Sequence, residues 1–483
     1  MTNRPNLLFI IADQLRADFL GCYGATFVKT PNIDVLAAQG VRYTRAYSTS
    51  PICVPARASL LTGMNSIRNG VLDNTVWLRP DLAASGIRTW PELLNEQGYY
   101  TAGIGKMHFY PWDTNHGLQY RVIAEDKRWI HIRDDYYHFL RAHGERKYHG
   151  NEHEGYLDNK GAIINRLPWE LSVDHFVGEE AVRFLKTYGN DGPFAAMVSF
   201  PGPHCPYDPN QEYLDQVDPG KMPEPIPAVP GDAEGIRRSN IEGNAKPWNG
   251  VDYSDFTGAH KRKIRAHYAA STQQIDYEFG RILTTLEEEG LLDNTIIIFA
   301  SDHGDYLGDH GLIGKGHYYE SSTHVPLIVR LPGGEAEVYD GLVELTDVTA
   351  TMLAFAGASA PQPVDSRPLP ALGLATEPRA MIFGFVSSGW MAYDGQWKLC
   401  KYATGEQHFF DLSTDPNEQV NRIDDPAAFP DLRRLDTALT LEVMRSMALS
   451  HYAQKVDTTG MSQEETFGRE GWQRTYPYAF ADT

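Results

Sequence analysis

A cysteine, a proline and an arginine at two-residue steps, Cys53-x-Pro55-x-Arg57, can build an anion site with a nucleophile inside it. Pro55 suits the first turn of a helix, where a missing N–H costs nothing, and Gly63 suits the helix C-cap. Cys53 then stands at a helix N-terminus, beside free N–H groups and the positive end of the helix dipole. Arg57 lies one turn further and reaches back to the same place. Alone, such a cysteine reads as a structural residue in a strand-to-helix turn. Two further pairs change that reading. Asp13-Gln14 and Asp302-His303 each follow an apolar run. One Asp after a strand ordinarily caps a helix, but two pairs at strand ends can converge on Cys53 although far apart in sequence. Lys106, His108, His204 and Lys315 add cations and imidazoles after further strand-like runs.

The elements that must position these groups alternate. Residues 6–12 (Asn-Leu-Leu-Phe-Ile-Ile-Ala) read as a fully buried strand, as do 99–104, 194–200, 295–300 and 325–330. Amphipathic helical stretches lie between them at 90–97, 177–188 and 260–289. This alternation predicts an α/β fold, a large mixed, mostly parallel sheet sandwiched by helices. Residues 109–172, crowded with Tyr, Trp, His and charge, read as an insertion above the sheet facing the substrate. Residues 208–258, rich in Pro, Gly and Asn, read as loop. A Pro-rich connector at 361–374 precedes strand-like runs at 381–386 and 397–402 and a helix near 432–447. The expected division is a catalytic domain over 1–375 and a small C-terminal α+β domain with an aromatic tail over 376–483.

The 483 residues, 42% hydrophobic and 22% charged, are ordinary for a globular chain. A net charge of −20 argues against nucleic acid as the partner. It does not exclude a small anion, because a few cations converging in a cleft outweigh a screened acidic surface. No run is long enough to span a bilayer. The apolar run 6–12 is short, meets Asp13 at once and lacks a small-residue cleavage site, so it is not read as a signal peptide. Four cysteines in this length form no disulfide framework, which fits a cytoplasmic protein.

The Cys53-x-Pro55-x-Arg57 motif resembles the signature of type I sulfatases of the alkaline phosphatase superfamily. The resemblance implies that Cys53 is oxidised to formylglycine by a maturation enzyme, and that one hydroxyl of the hydrated aldehyde is the nucleophile. It implies one divalent metal held by Asp13, Gln14, Cys53, Asp302 and His303. Gly105-Lys106-Met107-His108 is similar to a segment whose Lys binds sulfate and whose His supports the formylglycine. The His204 segment is similar to one whose His faces the leaving group as general acid. Lys315 matches a second sulfate-binding lysine, and with Lys106 and Arg57 it would neutralise the transferring group. Asn74 and His317 resemble substrate-contacting positions. Smaller matches at 30–34, 394–398 and 410–416 extend the resemblance over most of the chain.

The departures are Ala56 where the family commonly has Ser, Gln14 where it commonly has Asp, and His303 in the second metal pair. An oxygen cage suits calcium, the family's usual ion, whereas an imidazole leans toward manganese. Gln14 and His303 resemble a branch that cleaves phosphonate monoesters and phosphodiesters. Lys106 and His108 resemble choline sulfatases and related bacterial enzymes. The expected activity is sulfate monoester hydrolysis, with the phosphonate and diester activity as the alternative and a catalytically silent binding relative as the second alternative. Tyr110, Trp112, Trp129, Tyr136 and Tyr137 beside Glu125, Asp126, Asp134 and Asp135 raise the question of a cage for a quaternary ammonium group. The alternative is an insertion packed on its own aromatics or on a neighbouring subunit. The aromatic tail at 472–480 is expected to pack on a second copy of the chain in a homo-oligomer.

Overall fold

A computed structural model describes residues 4–450 and 455–457. The tail at 472–480, and with it the expected oligomer contact, lies outside the described residues. The apolar runs form one eight-stranded sheet. Its strands are β1 (Asn6–Asp13), β2 (Val41–Tyr43), β3 (Tyr100–Gly105), β4 (Tyr120–Ile123), β5 (Phe194–Pro203), β6 (Thr295–Ser301), β7 (Leu327–Arg330) and β8 (Glu337–Tyr339). Their order is β8-β2-β7-β6-β1-β5-β3-β4. The central run β6-β1-β5-β3-β4 is parallel throughout, and β7 runs antiparallel to both its neighbours. β1, β5 and β6 are buried along their whole length, which is why they read as continuous apolar runs rather than alternating ones.

Helices cover both faces. On one side α1 (Pro31–Ala37), α3 (Val173–Tyr188) and the 31-residue α5 (Gly258–Glu288) enclose one apolar cluster. On the other, α2 (Cys53–Thr62) contributes Val54, Ala58, Leu60 and Leu61 to a second. Two readings of the sequence need correction. Residues 109–172 are not only an insertion, because they supply the edge strand β4. Residues 208–258 are not all loop, because they hold α4 (Glu234–Asn244). Two glycines and three residues of the Asn and Ser type weaken the helix signal of α4, and only Ile236 and Asn244 of it are buried. After the connector, β9 (Ile382–Val386), β10 (Gly389–Tyr393), β11 (Trp397–Tyr402) and β12 (Gln407–Asp411) form an antiparallel meander. It packs on α6 (Phe429–Ala448) through Leu399, Phe409, Leu435 and Leu439. Among the described residues no helix is long and apolar enough to cross a membrane.

Candidate active site

Four adjacent parallel strands deliver their side chains to one edge of the sheet. Ala12 of β1 is in register with Ser301 of β6, so Asp13 and Asp302 emerge side by side. Gly105 of β3 is in register with Ser199 of β5, and Lys106 and His204 follow those strands. Gly105 has φ +93°, and a Cβ there would meet the Ser199 carbonyl oxygen at 2.1 Å, so only glycine lets the chain turn and aim Lys106 inward. Gln14 and His108 also have positive φ, at 70° and 58°. Held strain of this kind gathers at functional sites.

Cys53 opens α2, with Ile52 extended before it at φ −144° and Gly63 closing the helix at φ +70°. All ten residues of α2 are buried. The Cys53 sulfur lies 3.1 Å from Nε2 of His303 and 3.8 Å from Oδ1 of Asp13. Arg57 closes the far side. Its Nε donates to Oδ2 of Asp302 and its Nη2 to Oδ2 of Asp13, both at 3.0 Å, and Nη1 donates to the Ser199 hydroxyl at 2.8 Å and to the Lys106 carbonyl. Lys106 Nζ reaches Oδ2 of Asp13 at 2.9 Å and Oδ2 of Asp126 at 3.2 Å. Burial pushes the Asp13 carboxyl up, but the Lys106 and Arg57 cations outweigh it and hold Asp13 well below the usual carboxylate range. Burial and Asp13 likewise raise the Cys53 thiol, and Lys315, His303 and Lys106 bring it net below an ordinary thiol.

Asp13, Cys53, Asp302 and His303 each offer a ligand atom, and these atoms lie within 4.8 Å of one another. The fit to a cation also extends to the surrounding bonds. Nδ1 of His303 donates to the Gly304 carbonyl at 3.0 Å, which leaves the Nε2 lone pair facing the centre. Gln14 adjoins these four residues. Its backbone N–H donates to Oδ1 of Asp302 at 2.9 Å, while its side chain bonds Asp305 and accepts from Lys315.

Lys315 also donates to Nε2 of His204 at 2.7 Å, and Nδ1 of His204 donates to the Cys205 carbonyl at 2.7 Å. Burial, then Lys315, Arg128 and Lys106, hold this imidazole well below its usual range, so it is neutral. His108 is placed differently from the others. Its ring is 3% exposed, packs 5.2 Å from the Trp129 ring and makes no hydrogen bond through either nitrogen. Its expected contact with Cys53 is therefore not among the hydrogen bonds of the site. Asn74 accepts the Val54 N–H at 3.0 Å and so caps α2, and it shares the lining of the cavity before Cys53 with His317.

That cavity, about 270 Å³, is lined also by Gln14, Ile52, Arg128, Trp248 and Lys315. Sequence reasoning missed Arg128. Its Nε and Nη2 grip Asp126 at 2.9 and 2.6 Å, and Nη2 lies 3.4 Å from Nε2 of His204. The only signal was an acid and a base two residues apart in the aromatic stretch. The cage for a quaternary ammonium group is overturned by the same geometry. Asp126 is held by Lys106 and Arg128, Asp134 by Lys147, and Glu125 accepts the amides of Met107 and His108. Trp112 is fully buried, and none of the five aromatics lines the cavity. The insertion packs on its own rings.

Comparisons with known proteins agree with this arrangement. The Sulfatase family model matches residues 5–358. An arylsulfatase of Clostridium perfringens is 32% identical over 87% of this chain and 90% of its own. A choline-sulfatase of Rhizobium meliloti is 30% identical over 93% of this chain and 87% of its own. Among solved structures, a phosphonate monoester hydrolase from Silicibacter pomeroyi superposes with a TM-score of 0.78 at 24% identity, covering 98% of this chain and all of that one. A family model spanning most of the chain, with the motif cysteine and its cationic partners gathered at one sheet edge, leaves one conclusion: this chain belongs to the sulfatase family.

Proposed function

We propose that the protein hydrolyses sulfate monoesters at residue 53, once a maturation enzyme has oxidised Cys53 to formylglycine. The observation that carries this reading is the position of Cys53. It is buried at a helix N-terminus, 3.1 Å from His303, inside a cluster of four potential metal ligands and under three cations. A divalent cation held by Asp13, Asp302 and His303 beside the hydrated aldehyde would supply an acidified hydroxyl as nucleophile. Arg57 holds both carboxylates in place. Lys106 and Lys315 face the transferring group from two sides and stabilise the charge on its oxygens. His204 is neutral, with Nε2 as an acceptor, so a proton passed to the leaving oxygen comes from Lys315 Nζ, directly or through that nitrogen. Gln14 fixes Lys315 in this position. The nitrogen of His303 among oxygens favours manganese, while the family's habit favours calcium. Four cysteines free of disulfides fit a reducing compartment.

Phosphonate monoester or phosphodiester hydrolysis is the second reading, favoured by Gln14 beside Lys315 and by His303. The deciding experiment compares kcat/KM for an aryl sulfate and an aryl phosphonate monoester on one metal-loaded, matured preparation. A sulfate preference is expected. A clear phosphonate preference would move the protein to the second reading, and no turnover of either ester would sink both.

A further inference from the structure

The cavity before Cys53 differs in sign from the chain that encloses it. The net charge of the protein is −20, yet no Asp or Glu lines this cavity, whose charged lining is Lys315 and Arg128. Most other polar groups of the wall are already committed. Asn240 bonds both the N–H and the carbonyl of Ile313, Asn244 bonds Asn240 and Asn249, and the Ser388 hydroxyl donates to Gly316. Arg128 is an exception, as is His317, whose Nδ1 has no partner among the described residues. In Arg128, Nε and Nη2 are spent on Asp126, but Nη1 has only the Cys205 sulfur at 3.8 Å, a weak acceptor. The guanidinium is 4.7 Å from the ring of Trp248, which is 39% exposed at the mouth. Asp126 is the charge partner of Arg128 and also serves Lys106, but it engages only Nε and Nη2 and leaves Nη1 outside the pair.

We infer that Arg128 is a specificity-determining residue, and that the preferred substrates are sulfate esters whose alcohol or phenol portion carries a second anionic group, a carboxylate or another sulfate. This rests on the sulfatase reading and narrows its substrate class. Lys315 and Arg128 flank the same nitrogen of His204, at 2.7 and 3.4 Å. With the transferring group at Lys315, the leaving portion passes beneath Arg128 toward Trp248. A planar anion there accepts from Nη1 in a charge-assisted bond. A cationic leaving portion meets two like charges and no carboxylate.

The test uses the matured, metal-loaded enzyme and three esters of similar shape: 3-carboxyphenyl sulfate, 3-carbamoylphenyl sulfate and 3-(trimethylammonio)phenyl sulfate. The carboxylate ester is expected to exceed the neutral ester in kcat/KM by about tenfold or more, with the ammonium ester last. In Arg128→Gln the carboxylate-to-amide ratio should fall to about one, and in Arg128→Lys it should be partly retained. Equal kcat/KM for the carboxylate and neutral esters in the unaltered enzyme, or a preference for the ammonium ester, overturns the inference and leaves the sulfatase reading standing. Calorimetric binding of 3-hydroxybenzoate against 3-hydroxybenzamide separates the two failures. If no ester turns over but the benzoate still binds more tightly, and Arg128→Gln abolishes that difference, the anion site stands and the sulfatase reading fails. Equal binding of the two phenols overturns the inference independently of turnover.

Discussion

The two halves of the active site handle charge in opposite ways. Around Cys53 every ion is compensated: Arg57 spans Asp13 and Asp302, and Lys106 spans Asp13 and Asp126. In the cavity wall the charged side chains, Lys315 and Arg128, are both cations. The first half is built to hold a fixed set of atoms, because an unpaired charge in a buried place is costly. The second keeps donor capacity for a molecule that comes and goes. A third place shows burial without a counter-ion. Asp276 of α5 accepts the N–H groups of Asn32 and Ile33 at the start of α1, at 3.1 and 2.9 Å, and burial lifts its carboxyl to about 6 despite these bonds. Burial pushes up both Asp13 and Asp276. The cations around Asp13 reverse the direction.

Four changes would break or sharpen this contrast. The largest effect is expected from Cys53→Ala, which removes the proposed nucleophile from the compensated centre. kcat/KM for an aryl sulfate should fall at least about a thousandfold. A variant within tenfold of the unaltered enzyme would mean that the centre is not where the chemistry occurs. Next is Arg57→Met, which leaves Asp13 and Asp302 buried with fewer cations. In chelator-treated protein the denaturant midpoint should report a loss of about 3–5 kcal/mol. Arg128→Gln should cost less, since Asp126 keeps Lys106. Equal losses would erase the distinction between the halves.

The third change is Asp276→Asn. The folded state binds this proton more tightly than the unfolded chain does, so the native stability it contributes is present below about pH 4 and is lost as pH rises through about 6. The variant cannot ionise. Its stability relative to the unaltered protein should therefore rise by up to about 3 kcal/mol between pH 4 and pH 7. A gap that does not change with pH would show that Asp276 is compensated after all. The smallest effect is expected for Asn74→Ala, which loses the cap on Val54 N–H. About 1 kcal/mol of stability should go, seen as a small drop in Tm.

The compensated centre was legible because it is carried by local motifs on regular elements. Cys53, Pro55, Arg57 and Gly63 state a helix and its ends within eleven residues. Asp13 and Asp302 each terminate an apolar run, and parallel strands bring such ends to one edge. Lys106, His204 and Lys315 were found in the same way. Gln14 was foreseen beside the metal site; its left-handed backbone and its side-chain bonds to Asp305 and Lys315 are features that no residue type announces. His108 was foreseen as a support for residue 53; its packing against the Trp129 ring was not legible in the sequence. Strand β4 was missed because a four-residue run among aromatics and charges carries too short a pattern, and α4 because its composition favours turns.

By itself, then, the sequence determined the layered sheet, the edge where the candidate site gathers, and the motif cysteine with its immediate ions. These depend on periodicity and on neighbours along the chain. Only the tertiary structure decided which carboxylates are spent on cations, and that Arg128 lies between His204 and Trp248 with one nitrogen still free to donate. Charge compensation depends on distances of about 3 Å between residues that the sequence separates by up to 245 positions, and no local pattern encodes such distances.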